Sequence, residues 1–218
     1  MVLFGGADLS EWDGADTWRV HDGMAYVGEE SITTKREFGD CQLHLEWSAP
    51  VSEEKRGQQK GNSGVFMMGL YEVQVHDSYQ NEVRPTGMAA AIYKQRPPMV
   101  NATVESGEWN TFDIFWKCPR FEDGELVAPA SVTVVQNGVL VVHGFQLQGD
   151  TAWYRPPIYR DIGPKGPIVI QDHASPVAFR NIWVRELHEP PSSERPAKYI
   201  DHSTGKEWPA EEDTREWE

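Results

Sequence analysis

Two runs of this chain alternate apolar and polar residues without a break. In residues 41–47 (CQLHLEW), Leu43, Leu45 and Trp47 alternate with Gln42, His44 and Glu46. In residues 70–78 (LYEVQVHDS), Tyr71, Val73 and Val75 alternate with Glu72, Gln74 and His76. Successive side chains of a strand point to opposite faces, so each run predicts a strand with an apolar face toward a core. The opposite face of a solvated sheet usually carries Lys, Thr and Ser. Here it carries His, Glu and Gln, which bind sugars or metals and move protons.

The same reading predicts strands over residues 18–27, 64–68, 90–93, 110–117, 130–136, 139–143, 168–171 and 177–186, where Val, Ile, Trp, Tyr and Phe gather between Gly, Pro and Asn-Gly punctuation. Asn137-Gly138, set between two apolar runs, predicts a two-residue hairpin turn, because both central positions need positive φ. No segment shows a long 3.6-residue apolar period, so helices should be few and short. Many antiparallel strands with polar loops predict an all-β sandwich or jelly roll. Residues 48–60 are charged and read as an exposed loop beside the functional face. Residues 153–166, rich in Pro, Tyr and Arg, read as a rim.

A length of 218 residues suits one domain with a tail. The expected division is a domain over residues 1–188 and an acidic, Pro-rich tail over 189–218, without strand or helix period. Residues 188–218 hold nine acidic and four basic side chains. Trp208 and Trp217 are the tail's candidates for packing on the domain. No apolar run approaches the roughly 20 residues of a membrane helix, and residue 1 onward does not resemble a signal peptide; neither observation fixes a location. The net charge of −14 disfavours a nucleic-acid partner, since phosphate neutralisation needs clustered Lys and Arg. Neutral sugars are compatible with that charge and with nine tryptophans. Cys41 and Cys118 fall on apolar phases of their strands and read either as buried free thiols or as one disulfide.

A series of short motifs follows in order: LFGGADLSEW near the start, then WRVHDGMAYV, GNSGVFMMGLYEVQVHDSY, AIYKQRPPMVNA, GEWNTFDI, NGVLV and IVIQDHASPVAFRNIWVREL. Together they resemble the 3-keto-disaccharide hydrolase family, formerly a domain of unknown function, over about residues 2–187. The resemblance implies a concanavalin A-like jelly roll of two antiparallel sheets with a concave sugar-binding face. It also implies saccharide breakdown, often through sugars oxidised to a ketone at carbon 3, in relatives that are often secreted or periplasmic. The positions that match are Asn62, Ser63, Gly64, Glu72, Gln74, Asp77, Tyr93, Trp109, Gln171, His173, Arg180 and Asn181.

Chemistry assigns the roles. In a jelly roll, neighbouring strands lie about 4.8 Å apart and i, i+2 side chains about 6.5–7 Å apart. His44, Glu46, Glu72, Gln74, His76, Gln171 and His173 are therefore expected to share one concave face. A 3-keto sugar has an acidified hydrogen at carbon 2, and its removal gives an enolate that expels the group at carbon 1. Histidine, with an ordinary pKa of about 6.5, suits the base. A carboxyl with a raised pKa suits the acid that protonates the leaving oxygen. His173 or His44 is the expected base, with Glu72 or Glu46 as acid or metal ligand. Gln74, Tyr93 and Gln171 are the expected substrate-binding donors, and Asn62 either reaches into the cleft to bind substrate or forms the GNSG turn. Trp109 and Trp153 are candidates to stack on a sugar, and Arg180 either clamps substrate or pairs with Glu186 or Asp77. Asp77 reads as a turn cap. A divalent cation on His44, Glu46 and His173 is chemically compatible. Two other functions compete with the keto-glycoside enzyme: a non-catalytic sugar-binding module, and a conventional glycosidase using Glu46 and Glu72 as its carboxylate pair.

Overall fold

The computed structural model describes residues 1–52, 54–187, 198–200 and 203–209. The chain divides into two units, Met1–Glu186 and Leu187–Glu218. In the first unit the strands are β1 (Val2–Phe4), β2 (Trp12–Asp13), β3 (Arg19–His21), β4 (Met24–Tyr26), β5 (Ile32–Phe38), β6 (Cys41–Ser48), β7 (Ser63–Met67) and β8 (Tyr71–Val75). They continue as β9 (Trp109–Lys117), β10 (Arg120–Glu122), β11 (Glu125–Ala128), β12 (Ser131–Gln136), β13 (Val139–Gln146), β14 (Gly166–Ile170) and β15 (Ala178–Glu186). No α-helix occurs among the described residues; three short 3-10 turns take the place of helices.

Apart from β10 and β11, which pair only with each other, these strands build two antiparallel sheets. One runs β13-β12-β9-β6-β15-β4-β3, with β1 added to β15; the other runs β2-β5-β14-β7-β8. The expected all-β sandwich is the fold. Register shows which side chains face inward. Cys41 lies directly across from Trp116, and Leu43 across from Ile114, so these residues share a face. Tyr71 of the other sheet meets Trp116 with ring centroids 5.2 Å apart. The core therefore lies between the apolar faces of β6/β9 and of β8. Trp47, Trp116, Tyr71, Phe4, Phe112 and Phe179 are its largest fully buried side chains, each contributing about 2–3 kcal/mol of apolar burial. Cys41 and Cys118 are free and buried, and burial pushes their thiols up to about 12 and about 11.

Local sequence explains most departures from expectation. Residues 18–27 are a hairpin rather than one strand, because Asp22 and Gly23 both take positive φ (50° and 75°) and form the primed turn that Asp-Gly favours. Asn137 and Gly138 do the same at 52° and 76°, as expected. Residues 90–93 make only isolated bridges, from Ile92 to Val73 and to Arg96, since Ala90 has a φ of 63°. That segment still bonds along the outer edge of β8 through Gln74 N–H to Ala91 O at 2.9 Å and Ala90 N–H to Gln74 O at 2.8 Å. The expected tail contains a short hairpin of β16 (Lys198–Ile200) with β17 (Glu207–Pro209); Trp217 and the Trp208 side chain lie outside what is described.

Candidate active site

The face of the five-stranded sheet turned away from the core carries a cleft of about 360 Å³, within the range of small-molecule sites. Its floor is Glu72 and Gln74 of β8 with Phe66 of β7. Asn62 stands just before β7, and Gln171 and His173 just after β14. Gln58, Tyr93 and residues 151–154 complete the wall. Seven residues expected in a site thus come together here: Asn62, Glu72, Gln74, Tyr93, Trp153, Gln171 and His173. Gln58, Phe66, Thr151 and Tyr154 were not anticipated individually, although the two loops that carry Gln58 and Tyr154 were.

Glu72 is 5 % exposed. Among the described residues its carboxyl has no hydrogen-bond or ion-pair partner. Desolvation alone raises its pKa to about 8, so the group holds its proton at neutral pH. Gly64 makes room for it: a Cβ at that position would stand 2.7 Å from Glu72 Oε1. The glycine of GNSG therefore serves the site directly, across from Gln74 on the neighbouring strand. Tyr93 also has a raised pKa, first from burial and then from the nearby Glu72.

Gln74 is 2 % exposed and fixed by its amide nitrogen, which donates to Asn62 Oδ1 at 2.7 Å and to Ser63 O and Val75 O at 3.1 Å each. Its nitrogen is fully committed, so it offers the cleft an acceptor oxygen rather than the donor expected. Asn62 in turn donates to Gln58 O at 2.8 Å, and so ties the 48–60 loop to the sheet. His76 continues the polar phase of β8 but is fully buried. Its Nε2 lies 3.0 Å from Gly57 O and its Nδ1 3.1 Å from Ser78 Oγ. Burial lowers its pKa, so neutral His76 anchors the loop that presents Gln58. Asp77 accepts Tyr79 N–H at 3.3 Å, as a turn cap does, and pairs with Lys60 at 3.1 Å.

The remaining expected site residues lie elsewhere. His44 and Glu46 occupy the outer face of the eight-stranded sheet, with the whole core between them and Glu72. The single shared face expected for the seven polar groups is not formed, because β6 and β8 belong to different sheets. On that far face His44 Nδ1 meets Asp113 Oδ1 at 3.0 Å, and its ring stacks on Trp183 at 5.0 Å. Glu46 accepts Asn181 Nδ2 at 2.8 Å and Arg180 Nε at 2.7 Å. Burial raises the Glu46 pKa, but these two bonds together with the Arg180 and His44 charges outweigh it, and the net shift is downward. Arg180 thus pairs with Glu46, not Glu186 or Asp77, and its guanidinium covers Trp109 at 4.0 Å from the ring centroid. Trp109 is consequently not a cleft residue. The cation set of His44, Glu46 and His173 is likewise not assembled, and among the described residues no three His, Cys, Asp or Glu side chains come together to hold a metal. The donors present do not fit the expected cation site.

A solved structure of a candidate glycosyl hydrolase from Parabacteroides distasonis ATCC 8503 is 43% identical to this chain, with a TM-score of 0.82, over 86% of this chain and 83% of that one. The sequence model of the 3-keto-alpha-glucoside-1,2-lyase-like domain matches residues 1–185. The chain belongs to this family. Two further structures of candidate glycosyl hydrolases from the same organism share the fold of this 3-keto-alpha-glucoside-1,2-lyase-like domain. They are 21% and 24% identical, with TM-scores of 0.62 and 0.61, over 85% and 86% of this chain and 93% and 98% of theirs. No curated protein matches the sequence. The matched region contains the cleft and the far-face network alike, and membership makes this a protein of a carbohydrate-active family.

Proposed function

We propose that this protein cleaves 3-keto-glycosides by elimination across carbons 1 and 2, as a lyase or, with water added back, a hydrolase. One observation carries the reading. A protonated, unpartnered carboxyl, Glu72, sits at the floor of a cleft otherwise lined by amides, aromatics and a histidine. That is the environment an acid needs to protonate a leaving oxygen at neutral pH.

The step balances as follows. His173 takes the proton from carbon 2, and the electrons of that bond form the enolate toward carbon 3. The enolate collapses, the bond from carbon 1 to the leaving oxygen breaks, and Glu72 supplies that oxygen's proton. Tyr93 and Gln171 are the donors available to the developing enolate oxygen; the side-chain amide of Gln171 makes no hydrogen bond among the described residues. Gln74 accepts from a sugar hydroxyl.

The conventional glycosidase requires two carboxylates about 5–10 Å apart across the scissile bond. Glu46 is on the far face, and Glu72 is the one carboxyl among the described lining residues. The geometry therefore favours elimination. The test is release of 4-nitrophenol from 4-nitrophenyl glucoside and from its 3-keto counterpart, each with and without EDTA. Release from the keto sugar alone is expected. Release from both would return the reading to a conventional glycosidase, binding without release would make the protein a sugar-binding module, and loss with EDTA would require a cation.

A further inference from the structure

We propose that Trp153 and Tyr154 form a leaving-group subsite at the mouth of the cleft, built for a ring. The class of ligand is a second pyranose presenting its C–H face, or an aryl aglycone. This inference rests on the reading that the cleft holds the sugar cleaved at carbon 1.

Trp153 is 73% exposed and Tyr154 is 69% exposed, yet they are adjacent and both line the cleft. Single exposed aromatics need no explanation, but a pair at the edge of a polar pocket does. The segment beneath them is fixed. Buried Asp150 receives a two-pronged pair from Arg155, at 2.8 Å and 2.6 Å, a further bond from Arg160, and the Ile158 amide at 3.1 Å. Its own N–H returns to Ile158 O at 2.9 Å. Lys94 Nζ donates to the Trp153 carbonyl.

The rings are also oriented. Arg155 holds its guanidinium carbon 5.7 Å from the Tyr154 ring centroid, and Tyr154 meets Trp153 edge-on at 5.6 Å and 74°. Tyr154 is thereby braced by Arg155 and braces Trp153 in turn. What remains free is the indole surface. An aromatic plane held still beside hydrogen-bonding amides is the arrangement that sugar and aryl rings stack on. Preorganisation lowers the ordering cost of that contact. Glu72 lies at the floor, so the leaving oxygen it protonates points outward toward this plane.

Equilibrium binding tests the subsite independently of turnover. Wild type, Trp153→Ala and Trp153→Phe are titrated with 4-nitrophenyl glucoside and methyl glucoside, which differ only in the leaving group. Wild type should bind the aryl glucoside about three- to tenfold more tightly than the methyl glucoside. Trp153→Ala should abolish that ratio and Trp153→Phe should restore most of it, with methyl glucoside affinity unchanged. The same ratio should appear in kcat/KM on the two 3-keto-glucosides. Equal affinity of wild type for both glucosides, or an aryl preference that survives in Trp153→Ala, would overturn the subsite. Absence of turnover with the ratio intact would instead overturn the elimination chemistry while leaving the subsite standing.

Discussion

The backbone N–H of Glu72 donates to the Thr151 hydroxyl at 2.9 Å. A single hydrogen bond thus joins the strand that holds the buried carboxyl to the loop that carries the aromatic rim, and Thr151 N–H closes the same loop onto Leu70 O at 2.8 Å. Acid and rim form one unit.

Replacing Glu72 by Gln keeps the shape and removes the proton. Turnover of the 3-keto substrate should fall by roughly 10²–10⁴-fold. In wild type, activity should decline as pH rises through about 8, and that limb should vanish in the variant. Stability carries the same signature. The folded carboxyl keeps a proton that the unfolded one releases above about 4.5. Wild-type stability therefore falls as pH rises between these values. Thermal melts of wild type and Glu72→Gln should show the variant gaining, by on the order of ten degrees, as pH goes from 5 to 9. Parallel melting curves would show that Glu72 is already ionised.

Gly64→Ala tests the space around the acid. The new methyl would meet Glu72 Oε1 at 2.7 Å and Phe66 Cε2 at 3.0 Å, both near the ends of side chains rather than backbone. The fold should survive, with Tm within a few degrees, while a displaced carboxyl costs about 10–100-fold in kcat. Unchanged kcat in the soluble variant would remove Gly64 from the site.

The far-face network should separate stability from activity. Glu46→Gln loses charge-assisted bonds to Arg180 and Asn181 and should cost about 1–2 kcal/mol in chemical denaturation. His44→Ala loses the Asp113 contact and the stack on Trp183. Both variants should keep at least roughly half of wild-type kcat/KM, since the core separates them from Glu72. A loss of a hundredfold or more would restore these residues to the mechanism.

Asp150→Asn strips two arginines of their shared carboxylate and should cost about 2–3 kcal/mol at pH 7. Burial raises the Asp150 pKa, but bonds from Arg155, the Ile158 amide and Arg160 hold it at about 2. The stability it confers is present above its ordinary value of 3.8 and is lost as pH falls through about 2. Denaturation at pH 7 and pH 3 should therefore show the gap between wild type and variant narrowing at the lower pH.

The strands were legible because alternation in β6, β8 and β9 is nearly unbroken, and Asn137-Gly138 announces its turn. Alternation also told correctly that His44 and Glu72 face away from a core. It could not tell which side of the sandwich each faces. That depends on β6 pairing with β9 and β15 while β8 pairs with β7, contacts between residues distant in sequence. Strand β5 went unseen because five of the seven residues of ITTKREF are polar, its exposed positions resembling a loop. The Asp22-Gly23 turn carries the same local signal as Asn137-Gly138, within residues 18–27 whose flanking Trp, Val, Met and Tyr read as one strand. Gln58 and Thr151 had no local signal, since long-range bonds place them, from the Gln58 side chain to Gly87 O and from the Glu72 backbone to the Thr151 hydroxyl.

The commitment of the Gln74 nitrogen to three carbonyl oxygens has a stereochemical consequence. An oxygen lone pair facing the sugar attracts a hydroxyl hydrogen and repels a carbonyl oxygen. A 3-keto-glycoside would then have to lie with its oxidised carbon turned from Gln74 and toward the phenol or the free amide of Gln171. One side-chain amide, locked in a single rotation, would thereby choose which way round the ring enters.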